Sequence, residues 1–343
     1  MLSRADVMRC LDMTEAIEAM RLAFGALSAG QAQAPQRTAI GLADQGIALL
    51  MPSLLQTVRE HAFGLKVVTV MPQNPPKNLP RISASVLLLD GATGKTQAIL
   101  DGGWLTAMRT GAASGLATSL LGRQDADVLA IFGAGAQAPT QVLAIHAVRP
   151  LHEVRVVNRN DEHYRQLVAR LHALLGPTCP AIRRAATARE ALAGALLVAC
   201  ATIATAPLFR WSEVARGAHI NAIGAFTPAM CEVDAETLAH ARIVVDERVA
   251  ALIEAGDLLQ ALAIGRIAGA ETWIELGELV RGTRACRQAA EEVTVFKSVG
   301  IAVQDIAVAL HVYARARELG IGIEVDILGC LPFSSPGEVV PRS

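Results

Sequence analysis

The sequence predicts an α/β fold in which a doubly wound parallel sheet is inserted into an α+β unit. Three observations carry this. Between Val128 and Phe296 short apolar strands alternate with helical stretches, the pattern of a parallel sheet covered on both faces. A glycine-rich turn joins the first of these strands to a helix. Before Leu121 the strands instead follow one another through turn signals, and beyond Phe296 a single amphipathic stretch replaces the alternation.

Residues 12–30 read as a helix. Asp12 or Thr14 caps its start, Ile17, Met20, Leu22, Phe24 and Leu27 give the apolar face, and Gly30 ends it. Arg37–Leu42 and Ile47–Met51 flank Asp44-Gln45-Gly46, a hairpin signal. Phe63–Val70 and Ile82–Asp90 are strands joined by the Pro-rich stretch 71–80, and Gly91–Gly94 turns the chain into the strand Thr96–Asp101. Leu105–Leu121 is a helix leading into the parallel unit. There Val128–Phe132, Val154–Asn158, Leu196–Cys200, His219–Ala222 and Ile243–Asp246 are strands, with helices through Val148 and over Asp161–Leu175. Ala302–Leu319 closes the pattern as a long amphipathic helix. The chain thus divides into 1–113 plus 300–343 and an inserted unit at 114–299.

Composition excludes several classes. A net charge of −1 supplies no basic field for nucleic acid. Six scattered cysteines, Cys10, Cys179, Cys200, Cys231, Cys286 and Cys330, lack the paired spacing of a disulfide framework or zinc cluster, and the eight histidines show no ligand spacing. No metal site is expected, and reduced cysteines suit the cytoplasm. The uncharged run 191–209 is long enough to cross a bilayer, but Gly194 and Pro207 break it. A helix end, a buried parallel strand and a loop explain it better, so no membrane partner is expected.

Gly133-x-Gly135-x-x-Ala138 follows a strand and opens a helix. The first glycine permits the tight turn, the second lets a pyrophosphate approach the backbone, and Ala138 allows close helix–strand packing. The helix start offers free N–H groups to phosphate. This setting predicts dinucleotide binding in a Rossmann-type sheet. At the end of the next strand an acid would hold the ribose of NAD; Asn158-Arg159-Asn160 stands there instead. Arg159 suits a 2′-phosphate, which favours NADP and leaves NAD possible. The alternative is a solvated surface arginine.

A second constellation is cationic. Lys66 lies in the otherwise apolar strand Gly64–Val70, where an ammonium needs a partner, and the anion of a ligand can be that partner. Arg109 has no acid at helical spacing, and Arg37 lies in the early hairpin. Forked guanidinium groups match carboxylates. Periodicity alone does not bring the three together. The catalytic use of the three requires that they converge and that internal acids do not occupy them.

These residues sit in segments that resemble the ornithine cyclodeaminase/mu-crystallin family over nearly the whole chain. The matching pieces are Leu65-Lys66-Val67-Val68-Thr69, Asp101-Gly102 through Leu105–Thr110, and Gly133–Ala138. Later matches are Ile220–Ala225, Glu275–Leu279 and Val295–Gly300. The resemblance implies a homodimer whose first domain binds substrate and dimerises, with the cofactor domain inserted. It implies that Arg37, Lys66 and Arg109 bind a substrate carboxylate, with Lys66 as candidate proton donor and Lys66 and Arg109 as the catalytic pair. It places Thr110, Gly133, Gly135, Ala136, Gln137, Asn158, Arg159 and Ser298 against the cofactor, and Thr202, just past Cys200, joins this set.

Two departures from the family pattern shape the expected chemistry. Cyclodeaminases carry an aspartate two residues after the position of Gly224, where this chain has Phe226, which cannot act as acid or base. Asp234 is the nearest acid but stands at a different spacing. Simple reduction of a small cyclic α-imino acid, foremost Δ1-pyrroline-2-carboxylate to L-proline, therefore ranks above cyclodeamination of ornithine. An amino-acid dehydrogenase or iminosuccinate-type reductase and a non-catalytic NADPH-binding protein are the other readings. The second departure is Arg81, in Pro80-Arg81-Ile82, which either contacts a second substrate carboxylate or lies on the surface.

Overall fold

The computed structural model describes residues 1–58 and 60–325. The expected place of 326–343 in the first unit, and Cys330, lie outside the described residues.

The chain opens with α1 (Arg4–Arg9) and α2 (Met13–Ser28). Asp12 caps α2 and Glu15 returns the bond to the Asp12 amide, so both orphan amides are satisfied. Six strands follow: β1 (Ala32–Gln33), β2 (Thr38–Gly41), β3 (Ile47–Gln56), β4 (His61–Val70), β5 (Ile82–Asp90) and β6 (Thr96–Asp101). They form an antiparallel sheet in the order β1-β3-β4-β5-β6, with β2 also on β3. The β2–β3 hairpin turns through Asp44 and Gln45, both at positive φ, as a primed turn requires. One face of this sheet packs on the C-terminal helix; on the other, Leu50, Leu54, Phe63, Leu65, Leu87 and Leu89 remain partly exposed.

α3 (Gly102–Leu121) begins three residues earlier than its periodicity implied, because the Asp101 carboxylate accepts from Trp104 N at 2.8 Å. The expected unit boundary after residue 113 falls inside this helix, which packs against α2 and β5 on one side and the inserted sheet on the other.

The inserted unit runs β7 (Val128–Phe132), α4 (Ala138–Val148), β8 (Glu153–Val157), α5 (Asp161–Leu175), β9 (Ala181–Arg184), α6 (Ala188–Leu192), β10 (Leu197–Cys200) and β11 (His219–Ala222). It continues with α7 (Ala235–His240), β12 (Arg242–Val245), α8 (Arg248–Glu254), α9 (Gly256–Ala263), β13 (Ile274–Glu275), α10 (Leu276–Val280) and β14 (Thr294–Lys297). All eight strands are parallel, in the order β13-β12-β14-β11-β10-β7-β8-β9. The chain winds outward from β7 to β8 and β9, then returns to β10 on the other side. The crevice between β7 and β10 is the topological switch point where such sheets bind ligands. Finally α11 (Ala302–Leu319) crosses back onto β3, β4 and β5, and one apolar core joins it to α2, α3 and the near face of the parallel sheet. A second cluster fills the far face beneath α4 and α5. The uncharged run 191–209 is divided among α6, β10 and a loop, and no helix among the described residues is long and apolar enough to cross a membrane.

Candidate functional site

The glycine-rich turn lies at the C-terminal end of β7. Gly133 has φ +100°, open to glycine, and a Cβ there would meet Ala201 O at 2.5 Å. Gly135 faces open space. The amides of Gly135, Ala136 and Gln137 find no hydrogen-bond acceptor among the described residues, and Ala138 is buried as the first residue of α4. A cradle of unpaired N–H groups at a helix start fits a pyrophosphate. Thr110, on α3, is tied to α4, the helix this turn opens, because its carbonyl accepts from Gln141 Nε2 at 3.2 Å.

Asn158 and Arg159 follow β8. The Arg159 side chain is exposed with no partner among the described residues, and Asn158 O accepts from Arg184 at 3.0 Å. Arg184, at the end of β9, also pairs with Asp161; this second guanidinium escaped the sequence reading because β9 is short and polar. Thr202 follows β10 and Ser298 follows β14, so both stand at strand exits of the parallel sheet.

The three cations converge where α11 meets β4 and α3. Lys66, fully buried on β4, places Nζ 2.6 Å from Asp305 Oδ2. Arg109 of α3 places Nε 3.2 Å from Asp305 Oδ1 and donates from NH1 to Gln304 Oε1 at 2.6 Å. Arg37 donates from NH2 to Gly300 O at 2.7 Å and Val299 O at 3.0 Å, and lies 2.7 Å from Glu254 Oε2. Gly300 sits between the two arginines at φ +77°, and a Cβ there would lie 2.5 Å from Arg109 NH1.

One expectation is corrected. Internal acids do engage the cations: Asp305, not a ligand, is the partner of Lys66, and Glu254 is that of Arg37. The pairing is incomplete. Glu247 and Asp246 border the same cluster, so what the pairing leaves over is hydrogen-bond donors and not net charge. Arg109 NH2 has no acceptor among the described residues, and buried Gln304 Nε2 has none either. An incoming carboxylate meets guanidinium donors that the internal acids leave unused. Burial pushes the Lys66 ammonium down to about 7; Asp305 opposes this, and Arg109 and Arg37 add to it.

Asp305 was legible by the logic that flagged Lys66, as the one charge in the run Ala302–Ala309. Glu247 was not. It shares a small hollow with Arg37, Met51 and Gly300, and burial, with Asp246 and Glu275 adding, raises its carboxyl to about 7. Arg81 does not join the cluster. It is exposed, five residues along β5 from Val86, the register partner of Lys66, or about 17 Å by strand rise. Phe226 is partly exposed in the loop after β11, and Asp234 caps α7 through Thr237 N, so Asp234 is engaged elsewhere and does not stand in for an acid at position 226. A wider, open hollow lies between α2 and the β3–β4 turn, lined by Arg21, Leu22, Gln31, Val58 and Glu60. It lacks convergent cations and lies apart from the strand exits.

Residues 1–320 match the sequence model of the ornithine cyclodeaminase/mu-crystallin family. A Delta(1)-pyrroline-2-carboxylate reductase of Bacillus cereus is 38% identical over 320 residues, covering 93% of this chain and 97% of that protein. The Thermococcus litoralis Delta(1)-pyrroline-2-carboxylate reductase, solved with NADH and L-proline, superposes with a TM-score of 0.87 at 36% identity, covering 94% of this chain and 99% of that one. An archaeal alanine dehydrogenase dimer with bound NAD superposes with a TM-score of 0.86 at 32% identity, covering 95% and 98%. On the match over residues 1–320 and the 38% identity across nearly the whole of both chains, this protein belongs to the ornithine cyclodeaminase/mu-crystallin family.

Proposed function

We propose that this chain is an NAD(P)H-dependent oxidoreductase that reduces the C=N bond of a small cyclic α-imino acid, foremost Δ1-pyrroline-2-carboxylate, giving L-proline. The observation that carries this reading is the meeting of Arg37, Lys66 and Arg109 near Gly300 with Arg109 NH2 left without an acceptor among the described residues. The relatives named for that reaction support the choice of substrate. Arg109 and Arg37 hold the carboxylate through their unused donors, which fixes the imine carbon and removes much of the entropic barrier. Lys66, poised at about 7, holds the proton that the imine nitrogen takes up. A bound reduced nicotinamide supplies the hydride.

The finer parts of the reading have their own supports. The free Arg159 guanidinium favours NADP over NAD. The apolar outer face of the antiparallel sheet and the dimeric archaeal neighbour favour a homodimer closed through that face. Residues 1–113 with 300 onward form the substrate and dimerisation unit, and 114–299 the cofactor unit. Reduced cysteines favour the cytoplasm, with a role in proline metabolism.

The test follows nicotinamide absorbance with Δ1-pyrroline-2-carboxylate, then with pyruvate plus ammonia, and assays ammonia release from ornithine. Consumption with the cyclic imine and none with ornithine is expected. Ammonia release without net cofactor use would reinstate cyclodeamination, consumption with pyruvate plus ammonia alone would point to an amino-acid dehydrogenase, and cofactor binding without any turnover would leave a crystallin-like binding protein.

A further inference from the structure

Glu232 is wholly buried in the loop between β11 and α7. Its Oε1 accepts from Thr202 N at 2.7 Å and Thr202 Oγ1 at 2.8 Å. Its Oε2 accepts from Gly224 N at 2.7 Å and Ala225 N at 3.1 Å. Four donors into two oxygens suit an ionised carboxylate and no other side chain of that length. Thr202 follows β10, and Gly224 and Ala225 follow β11, so one carboxylate joins the exits of two adjacent parallel strands. The approach is close: a Cβ on Gly224 would lie 2.2 Å from Thr202 O and 2.4 Å from Glu232 Oε1.

Glu232 is itself anchored. Its amide and that of Val233 donate to Asp257 Oδ1 at 2.5 and 2.9 Å, and Asp257 Oδ2 lies 2.6 Å from Lys297 Nζ at the end of β14. The next residue, Ser298, donates to Asp246 Oδ2 at 3.0 Å just beyond β12. Buried charged side chains thus pin the exits of β10, β11, β14 and β12.

In a doubly wound sheet a dinucleotide spans the switch point, with its adenosine half over one set of strand exits and its other half over the opposite set. The pyrophosphate cradle at Gly133–Gln137 and the Asn158-Arg159 segment leave the exits of β10, β11 and β14 for the nicotinamide half. We propose that Glu232 is a positioning residue that fixes the floor beneath the nicotinamide without touching it. The proposal rests on the cofactor reading above. It goes beyond it in assigning Glu232 to one half of the cofactor only. Glutamine has the same length but places an NH2 group against two of the donors, so one strand exit is released.

The experiment compares wild type and Glu232→Gln by calorimetric binding of NADPH and NADH, and of the fragments 2′-phospho-ADP-ribose and ADP-ribose, which lack nicotinamide. The variant loses about tenfold in affinity for the preferred dinucleotide, the scale of lost hydrogen bonds to a charged group, and keeps that of the matching fragment within about twofold. Equal losses for dinucleotide and fragment, or no loss for either, overturn the assignment. Should the variant fail to fold, amide exchange on the unliganded wild type decides: Thr202, Gly224 and Ala225 amides are expected to be protected, and rapid exchange overturns it. Failure of wild type to bind either dinucleotide sinks the oxidoreductase reading itself and is distinguishable from both results.

Discussion

Two buried lysine–aspartate pairs, one in each sheet, share a geometry and differ in their surroundings. Lys66 on β4 and Lys297 on β14 each stand 2.6 Å from an aspartate in the first turn of a helix, Asp305 of α11 and Asp257 of α9. Both aspartates complement the helix dipole. Around Lys66 two guanidinium groups, Arg109 and Arg37, stand beside the acids, and Arg109 keeps an unused donor. Around Lys297 the acids outnumber the cation, because Glu232 hangs on Asp257 through its backbone. The first cluster is left able to accept an anion. The second has no positive charge to spare and is suited to holding backbone in place. A buried lysine is therefore read by the groups that surround it and not by burial alone.

The sharpest test of that contrast is K66A, for which turnover falls by about 10²–10⁴-fold, the range of a lost general acid, while dinucleotide affinity stays constant in a binding titration. Full turnover in this variant would remove Lys66 as proton donor. K297M instead acts on the fold. Leaving Asp257 unpaired in a dry site costs about 3–5 kcal/mol in urea denaturation. K66M costs less, since Arg109 still holds Asp305; equal losses would erase the distinction between the pairs. R109K raises KM for the imino acid by about tenfold through loss of the forked contact, with kcat changed less. Steady-state kinetics separates the two parameters.

The pH dependence gives smaller effects with defined signs. If protonated Lys66 is the donor, kcat/KM falls as pH rises through about 7. Asp305 holds the Lys66 value up, so D305N moves that falling limb to lower pH; a limb that does not move assigns the titration to another group. For stability, Lys66 titrates at about 7 folded against 10.5 as its ordinary value, so the folded state binds fewer protons between these values and this contribution to stability rises with pH across that window. Glu247 behaves oppositely. Its carboxyl, raised to about 7, makes the fold bind more protons than the unfolded chain, so stability falls as pH rises from 4.5 to 7. E247Q removes that loss, and its melting temperature should exceed that of wild type at pH 8 by more than at pH 5.

Both regions were legible in part, and Ile82–Asp90 and Thr96–Asp101 of the antiparallel sheet were placed to the residue. Val128–Phe132, Asp161–Leu175 and Ala302–Leu319 were placed to the residue, because apolar runs, caps and helical periodicity are local signals. β9, β13 and β14, which are short, carried too little pattern to be seen, and the start of α3 was set by the Asp101 cap and not by periodicity. In the site, Lys66 and Arg109 stood out as charges without local partners. Their shared partner lies 196 residues from Arg109 along the chain, a separation that no spacing rule spans. Glu232 accepts from the Thr202 amide and Asp246 from the Gly300 amide, 30 and 54 residues away, and nothing in their own neighbourhoods announces this.

Gly300 sets a boundary for anyone reshaping this enzyme. It is wedged between two guanidinium groups in a left-handed conformation, so even a methyl group there would force Arg109 aside. A saturation library should find this position nearly intolerant. Variants with widened substrate range are to be sought in the loops after β10 and β11, where the exposed Ile203 and Phe226 have room to change.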